Sequence, residues 1–244
     1  MSTSDSFIAH LVELRARLLN SMVALLLVFV CLFPFAGKLY ALLARPLLAK
    51  LPQGGQMIAT DVTTPFFVPL KVAMMASLLI ALPYILYQLW RFVAPGLYAH
   101  EKRLVLPLIA ASTVLFYCGM AFAYFVVFPV VFGFITSSAP QGVAVMTDID
   151  KYLSFALTMF VAFGVTFQVP VAVVLLVRMG VVTPAKLREI RPYMIVGAFI
   201  AGAIFTPPDV VSQFMLAVPL WLLYEAGIVV SATWMPQAPT DKTG

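Results

Sequence analysis

The chain has 244 residues, of which 63% are hydrophobic and only 10% charged, with a mean hydropathy of +1.03. A soluble domain is roughly half apolar and about a quarter charged, so this composition excludes a water-soluble fold and defines an integral membrane protein. The net charge of +5 comes without a dense basic stripe, which excludes a nucleic-acid surface and fits loops facing an anionic leaflet. Cys31 and Cys118 both lie inside apolar runs and read as buried, inert thiols rather than a disulfide. The two histidines flank no metal-binding spacing, so no metal and no cofactor is expected.

The first span is expected over 18–36, after a polar segment ending in Arg15 and Arg17. It is too long for a signal-peptide core, and Gly37-Lys38 offer no small-x-small cleavage site, so it should remain uncleaved. At about 1.5 Å per residue it just crosses a hydrocarbon core of about 30 Å. Residues 37–71 cannot span. LYALLARPLLAKL reads as a helix lying at the interface and kinked by Pro46, and MIATDVTTPFFVPLK reads as extended, with Pro65 and Pro69 blocking helix. Together with 133–151 this segment forms an expected cap outside the membrane.

The second span, 72–90, contains Pro83 and ends in the interfacial pair Tyr87 and Trp90. A polar hinge, 91–103, follows. The third span, 104–132, is too long for an upright helix and must tilt or protrude. The fourth, 152–177, carries Gln168 before Val169-Pro170, and a polar amide at that depth needs a partner or water. A basic loop, 178–192, includes Thr183-Pro184 as N-cap and first residue of a short helix. The last two runs, 193–205 and 210–229, are short and joined by TPPD. They form a hairpin that either crosses a thinned bilayer or re-enters from one side.

Six spans put both termini on one side, together with Arg15, Arg17, Arg91, Lys102, Arg103, Arg178, Lys186, Arg188, Arg191 and Lys242. The other side holds Lys38, Arg45, Lys50, Lys71 and Lys151. This excess of cations places the N-terminus and C-terminus in the cytoplasm. No internal repeat is visible, which counts against inverted-repeat transporters. The fold class is therefore an all-α polytopic membrane protein of six transmembrane helices in a single domain spanning 1–244.

Two carboxylates stand out on the cytoplasmic side: Glu13 in HLVELRAR and Glu101 in RFVAPGLYAHEKR. Each has a local reading, Glu13 as an i,i+4 partner of Arg17 and Glu101 as a solvated charge among Lys102, Arg103 and His100. Gln168 has a local reading as a helix–helix hydrogen bond, Glu225 as a partner for a loop cation, and Asp209 as a cap on the last helix. On residues alone the function stays open.

The segments HLVELRARLLN, ATDVTTPFF, APGLYAHEKR, FGVTFQVPVAVVLL, RPYMIVGAFIAG and TPPDVVSQ resemble the TatC family, the multispanning core of the twin-arginine protein translocase. The resemblance covers nearly the whole chain in order, in loops as well as spans. It implies a cupped six-helix bundle in the bacterial inner membrane. Such a bundle binds twin-arginine signal peptides and passes folded proteins across with single-span TatA and TatB partners, driven by the proton-motive force. The resemblance also implies several copies per complex, a setting in membrane lipid and no enzymatic activity. By motif, Glu13 and Glu101 would face the arginine pair, with Arg17, Phe92 and Pro95 shaping the site and Pro46 in the periplasmic cap. Asp209 and Gln213 would lie on the partner-binding edge, and Gln168 and Glu225 would be intramembrane polar groups. Gln168 departs from the family, which usually has glutamate there.

Physical chemistry agrees with this reading, because a guanidinium meets a carboxylate in a two-point fork that lysine cannot reproduce. The competing reading is a secondary transporter using Gln168 and Glu225 near the midplane. A membrane-embedded enzyme is disfavoured, since no nucleophile–base or metal spacing is present.

Overall fold

The computed structural model describes residues 3–48, 57–93, 105–137, 147–206 and 209–234. The described residues are almost wholly helical, and among them five helical stretches are long and apolar enough to cross a membrane: Leu11–Arg45, Thr64–Phe92, Leu106–Ile135, Ile149–Arg178 and Val210–Thr233. The sixth, Arg191–Phe205, is shorter.

Helix α1 (Thr3–Leu32) begins well before the expected span, so the polar N-terminal segment is itself helical. A short 3₁₀ turn at Phe33–Phe35, with Pro34 at its start where a missing N–H costs nothing, leads into α2 (Ala36–Leu48). Pro46 falls in the last turn of α2, and its ring lies outside the described residues. The expected extended segment is confined to strand β1 (Met57–Ile58). Helix then starts at Thr64, because Pro65 occupies the first turn, where no intrahelical N–H bond is lost. Asp61 accepts from the Thr63 N–H and hydroxyl just before that turn. Helix α3 (Thr64–Val93) then runs through both Pro69 and Pro83.

The third span is α4 (Val105–Phe122), a π turn (Ala123–Val127) and α5 (Phe128–Ser137). Strand β2 (Thr147–Asp148) pairs in parallel with β1, tying together the two segments expected to form the cap. Asp148 caps α6 (Ile149–Thr166) by accepting from the N–H groups of Asp150 and Lys151, and it also accepts from the Thr60 hydroxyl at 2.6 Å. Those bonds, the Thr60 hydroxyl foremost, hold its carboxyl down at about 2. Lys71 pairs with Asp150 at 2.6 Å alongside.

The expected fourth span divides in two. Pro170 has no N–H to return to the preceding turn, so the chain tightens at Phe167–Gln168 before α7 (Val169–Arg178). Gly180, at φ 68°, ends α7: its N–H reaches the Val177 carbonyl and that of Val181 reaches Leu176, the paired bonds of a Schellman cap. Thr183 caps α8 (Pro184–Glu189) as its sequence indicates. Helix α9 (Arg191–Phe205) is short as expected, but α10 (Val210–Trp234) runs 25 residues, past the expected 229 and long enough to cross.

The core lies between α3, the π turn, α5 and α6, around the fully buried Phe128, Phe163, Leu153 and Met159. Helix α4 crosses α6 closely through Gly119 and Gly164; a Cβ on Gly164 would sit 2.4 Å from the Phe116 ring. Both cysteines are exposed on the protein surface, contrary to the buried thiols expected, because their helix faces point outward from the bundle.

Candidate functional site: a carboxylate clamp between α1 and α3

Glu13 and Arg17 are one turn apart on α1 and form the local pair their spacing predicts. Arg17 Nε donates to Glu13 Oε1 at 3.1 Å and Nη2 donates to the same oxygen. Its third nitrogen, Nη1, crosses to α3 and donates to Gln88 Oε1 at 3.4 Å. Gln88 is buried, and its Nε2 donates to the Tyr84 hydroxyl at 2.7 Å. The Arg17 side chain is only 16% exposed against 38% for Glu13, so the arginine is packed away while the carboxylate reaches the surface. One turn beyond Gln88 come Arg91, whose Nη1 donates to Tyr87, and Phe92, at the end of α3 where the hinge begins. The arrangement is a carboxylate held by an arginine fork at the mouth of the α1–α3 contact. Glu101 and Pro95 lie outside the described residues.

Three further polar groups lie elsewhere. Gln168, at the α6–α7 break, donates from Nε2 to the Ser112 carbonyl of α4 at 2.9 Å, while its Oε1 is buried with no partner among the described residues. Trp90 Nε1 donates to the Ser112 hydroxyl at 3.1 Å, joining α3 to the same point. Glu225 on α10 accepts from Arg191 Nη2 at 2.6 Å, and both Glu225 Oε1 and Arg191 Nε are buried without a partner among the described residues. Asp209 Oδ1 caps α10 through the Ser212 N–H at 2.6 Å, and Gln213 Nε2 donates to the Phe199 carbonyl of α9 at 3.0 Å. Among the described residues, no three His, Cys, Asp or Glu side chains gather as metal ligands would.

The family described as Sec-independent protein translocase protein (TatC) matches residues 9–219. The chain belongs to the TatC family. It is 55% identical to the Sec-independent protein translocase protein TatC of Escherichia coli (strain K12), over 95% of this chain and 90% of that protein. It is 58% identical to the TatC of Azotobacter chroococcum mcd 1, over 92% of this chain and 88% of that one. A crystal structure of the twin arginine translocase receptor TatC superposes with a TM-score of 0.82 at 40% identity, covering 92% of this chain and 98% of that one. The same receptor solved in DDM gives 0.83. The chain is thus a polytopic membrane subunit with a role in protein transport, and the TatC relatives agree with six helices.

The sequence singled out neither Gln88 and Tyr84 at the clamp nor Ser112 beside Gln168, and it marked Trp90 only as an interfacial residue. Gln88 is one helical turn from Tyr84 in an otherwise apolar span, so it carried the same signal that singled out Gln168. Ser112 carried none, because its role arises from contact with distant segments.

Proposed function

We propose that this chain is the signal-peptide receptor of a twin-arginine translocase in the bacterial cytoplasmic membrane, with Glu13 and Glu101 facing the paired arginines of the precursor. The observation that carries this reading is the Glu13 carboxylate, fixed by the Arg17 fork and backed by Gln88 at the α3 end that leads into the hinge. Its fixed orientation suits an incoming guanidinium, which meets a carboxylate in a planar fork. Phe92 and Pro95 shape the hinge. The N-terminus and C-terminus are cytoplasmic, on the side with the excess of lysine and arginine.

Two carboxylates are not the whole site. Charge-assisted pairs contribute about 1.5–3 kcal/mol each, whereas micromolar binding requires about 8 kcal/mol. The remainder comes from the signal's apolar segment against lipid or a helix face, and the arginine pair supplies specificity. Single-span partners of the TatA and TatB type join through polar contacts in the membrane. Gln168 Oε1, Asp209 Oδ2 and Glu225 Oε1, buried without a partner among the described residues, support that assignment, with Gln213 one turn beyond Asp209. A neutral amide at 168 accepts a partner's hydrogen bond without titrating. Folded precursors then cross at the expense of the proton-motive force, with several copies of the chain per complex.

The test places a photocrosslinker beside the arginines of a precursor signal and compares RR with KK signals in membranes carrying wild type, Glu13→Gln or Glu101→Gln. Crosslinks to the hinge and to the start of α1 should require both the RR pair and both acids. Equal crosslinking in every combination would overturn the receptor reading.

A further inference from the structure

A groove of about 380 Å³ opens on the bundle surface between α2, α3, the α4–π junction and α6. Its walls include Leu39, Leu42, Val72, Met75, Ala121 and Phe125, and the volume lies at the lower end of the range of small-ligand clefts. None of the buried unpartnered polar atoms of the described residues belongs to it, and the one hydroxyl among the lining side chains, Tyr124, is committed to the Leu42 carbonyl at 3.0 Å. An occupant therefore needs no hydrogen bonds along its length. Depth is fixed by the exposed Lys71–Asp150 ion pair, which marks the polar boundary one residue above Val72. From Val72 to Leu79 the groove descends about 10 Å towards the bilayer interior.

The rim of the groove is basic. Lys38, Leu42 and Arg45 recur at helical spacing on one face of α2, so both cations flank the wall that Leu42 supplies. Both are exposed. Lys38 lies over the Phe35 ring at 5.9 Å, and neither cation has an ion pair among the described residues. Helices α2, α4 and α5 and the π turn contain no acidic residue at all. A cationic rim over an apolar, hydrogen-bond-free furrow at the membrane boundary is complementary to an anionic headgroup on an acyl chain.

We propose that this groove binds a phospholipid with a net negative headgroup, its phosphate between Lys38 and Arg45 and one acyl chain lying along Leu42, Met75 and Ala121. The bound lipid belongs to the leaflet on the α2 side and fills the concavity beneath the cap, so α2 rests on lipid as well as on α3.

The test uses the full-length protein, delipidated in detergent and titrated with phosphatidylglycerol or phosphatidylcholine, with native mass spectrometry counting bound lipid. Wild type should retain one phosphatidylglycerol in preference to phosphatidylcholine. Lys38→Gln and Arg45→Gln should each weaken that retention about fivefold, since each basic side chain near an anionic surface contributes a comparable factor. Ala121→Phe, which fills the furrow from an exposed wall position, should abolish retention of the chain while leaving both cations in place. Equal retention of the two lipids by wild type, or retention unaffected in all three variants, would overturn the proposal. So would displacement of the lipid by a synthetic RR signal peptide that crosslinks at position 121, because the groove would then be a peptide site. The substituted positions are exposed, and an unchanged unfolding temperature checks that each variant is folded.

Discussion

Replacing Gln168 by methionine tests whether an intramembrane amide is kept for the fold or for a partner. Among the described residues the side chain makes one hydrogen bond, Nε2 to the Ser112 carbonyl at 2.9 Å, and leaves Oε1 buried and unpartnered. A membrane-buried hydrogen bond contributes about 0.6–1.5 kcal/mol, whereas a stranded buried acceptor costs about 1–3 kcal/mol. Methionine is close in volume and unbranched, so it removes both at little packing cost. The balance is between no change and about 2 kcal/mol of added stability. For a chain of this size that corresponds to an unfolding temperature unchanged or raised by up to about 8 °C.

Transport of an RR precursor by membranes carrying Gln168→Met and the partner subunits should nevertheless fall about tenfold or more. Two measurements check this: thermal unfolding of the purified chain in detergent, and protease protection of exported precursor. An unfolding temperature lowered by more than about 4 °C would refute the reasoning, since Oε1 would then be satisfied within the folded chain. Undiminished transport would refute the partner assignment instead.

The α1–α3 clamp makes Arg17→Lys as damaging as Arg17→Gln. A point charge cannot hold Glu13 and Gln88 together, so RR-peptide affinity by fluorescence anisotropy should fall about five- to tenfold in both variants, and full rescue by lysine would contradict the fork. Gly164→Ala should lower the unfolding temperature by several degrees, because its Cβ would sit 2.4 Å from the buried Phe116 ring and overpacking costs about 1–3 kcal/mol. Gly197→Ala, where a Cβ meets nothing within 4 Å, is the control and should be neutral or slightly stabilising. Asp148 has its carboxyl held down at about 2 by Thr60 and the α6 N-terminus, against an ordinary 3.8. Its contribution is complete above the ordinary value and is lost as pH falls towards the depressed one. Unfolding curves between pH 5 and pH 2 should therefore show a fall that is smaller in Asp148→Asn.

The spans were legible because twenty apolar residues in a row admit few structures, and the local pairs were legible because they depend on spacing alone. Glu13 with Arg17, Asp209 as a cap and Thr183 before Pro184 are of this kind. Helix starts were less legible. Proline at 65 reads as a breaker until its position in the first turn is known, and the same residue type at 170 does break the fourth span. Contacts between distant segments left no local trace. Nothing near Ser112 in the sequence indicates that it receives both Trp90 and Gln168, and nothing near Gln88 indicates Arg17.

The distribution of unsatisfied groups separates two halves of the bundle. Among the described residues, the buried side-chain polar atoms without a partner belong to Thr113, Gln168, Arg191, Asp209, Ser212 and Glu225, on α4, the α6–α7 break, α9, the cap of α10 and α10 itself. On α1 and α3, by contrast, Arg17 uses all three nitrogens, and Gln88 both accepts from Arg17 and donates to Tyr84. Leaving a buried polar atom unpaired is costly, and more so with hydrocarbon rather than water outside the helix. A folded chain tolerates that cost where another molecule supplies the missing donor or acceptor. On the proposed receptor reading, the completed half suits a rigid carboxylate that tells arginine from lysine, since such a site needs its geometry fixed before the ligand arrives. On the same proposal, the incomplete half suits partner helices that bind through polar groups in the membrane. Neutralising Glu13 should therefore change which precursors are recognised, whereas removing Gln168 should change how firmly the partner subunits are held.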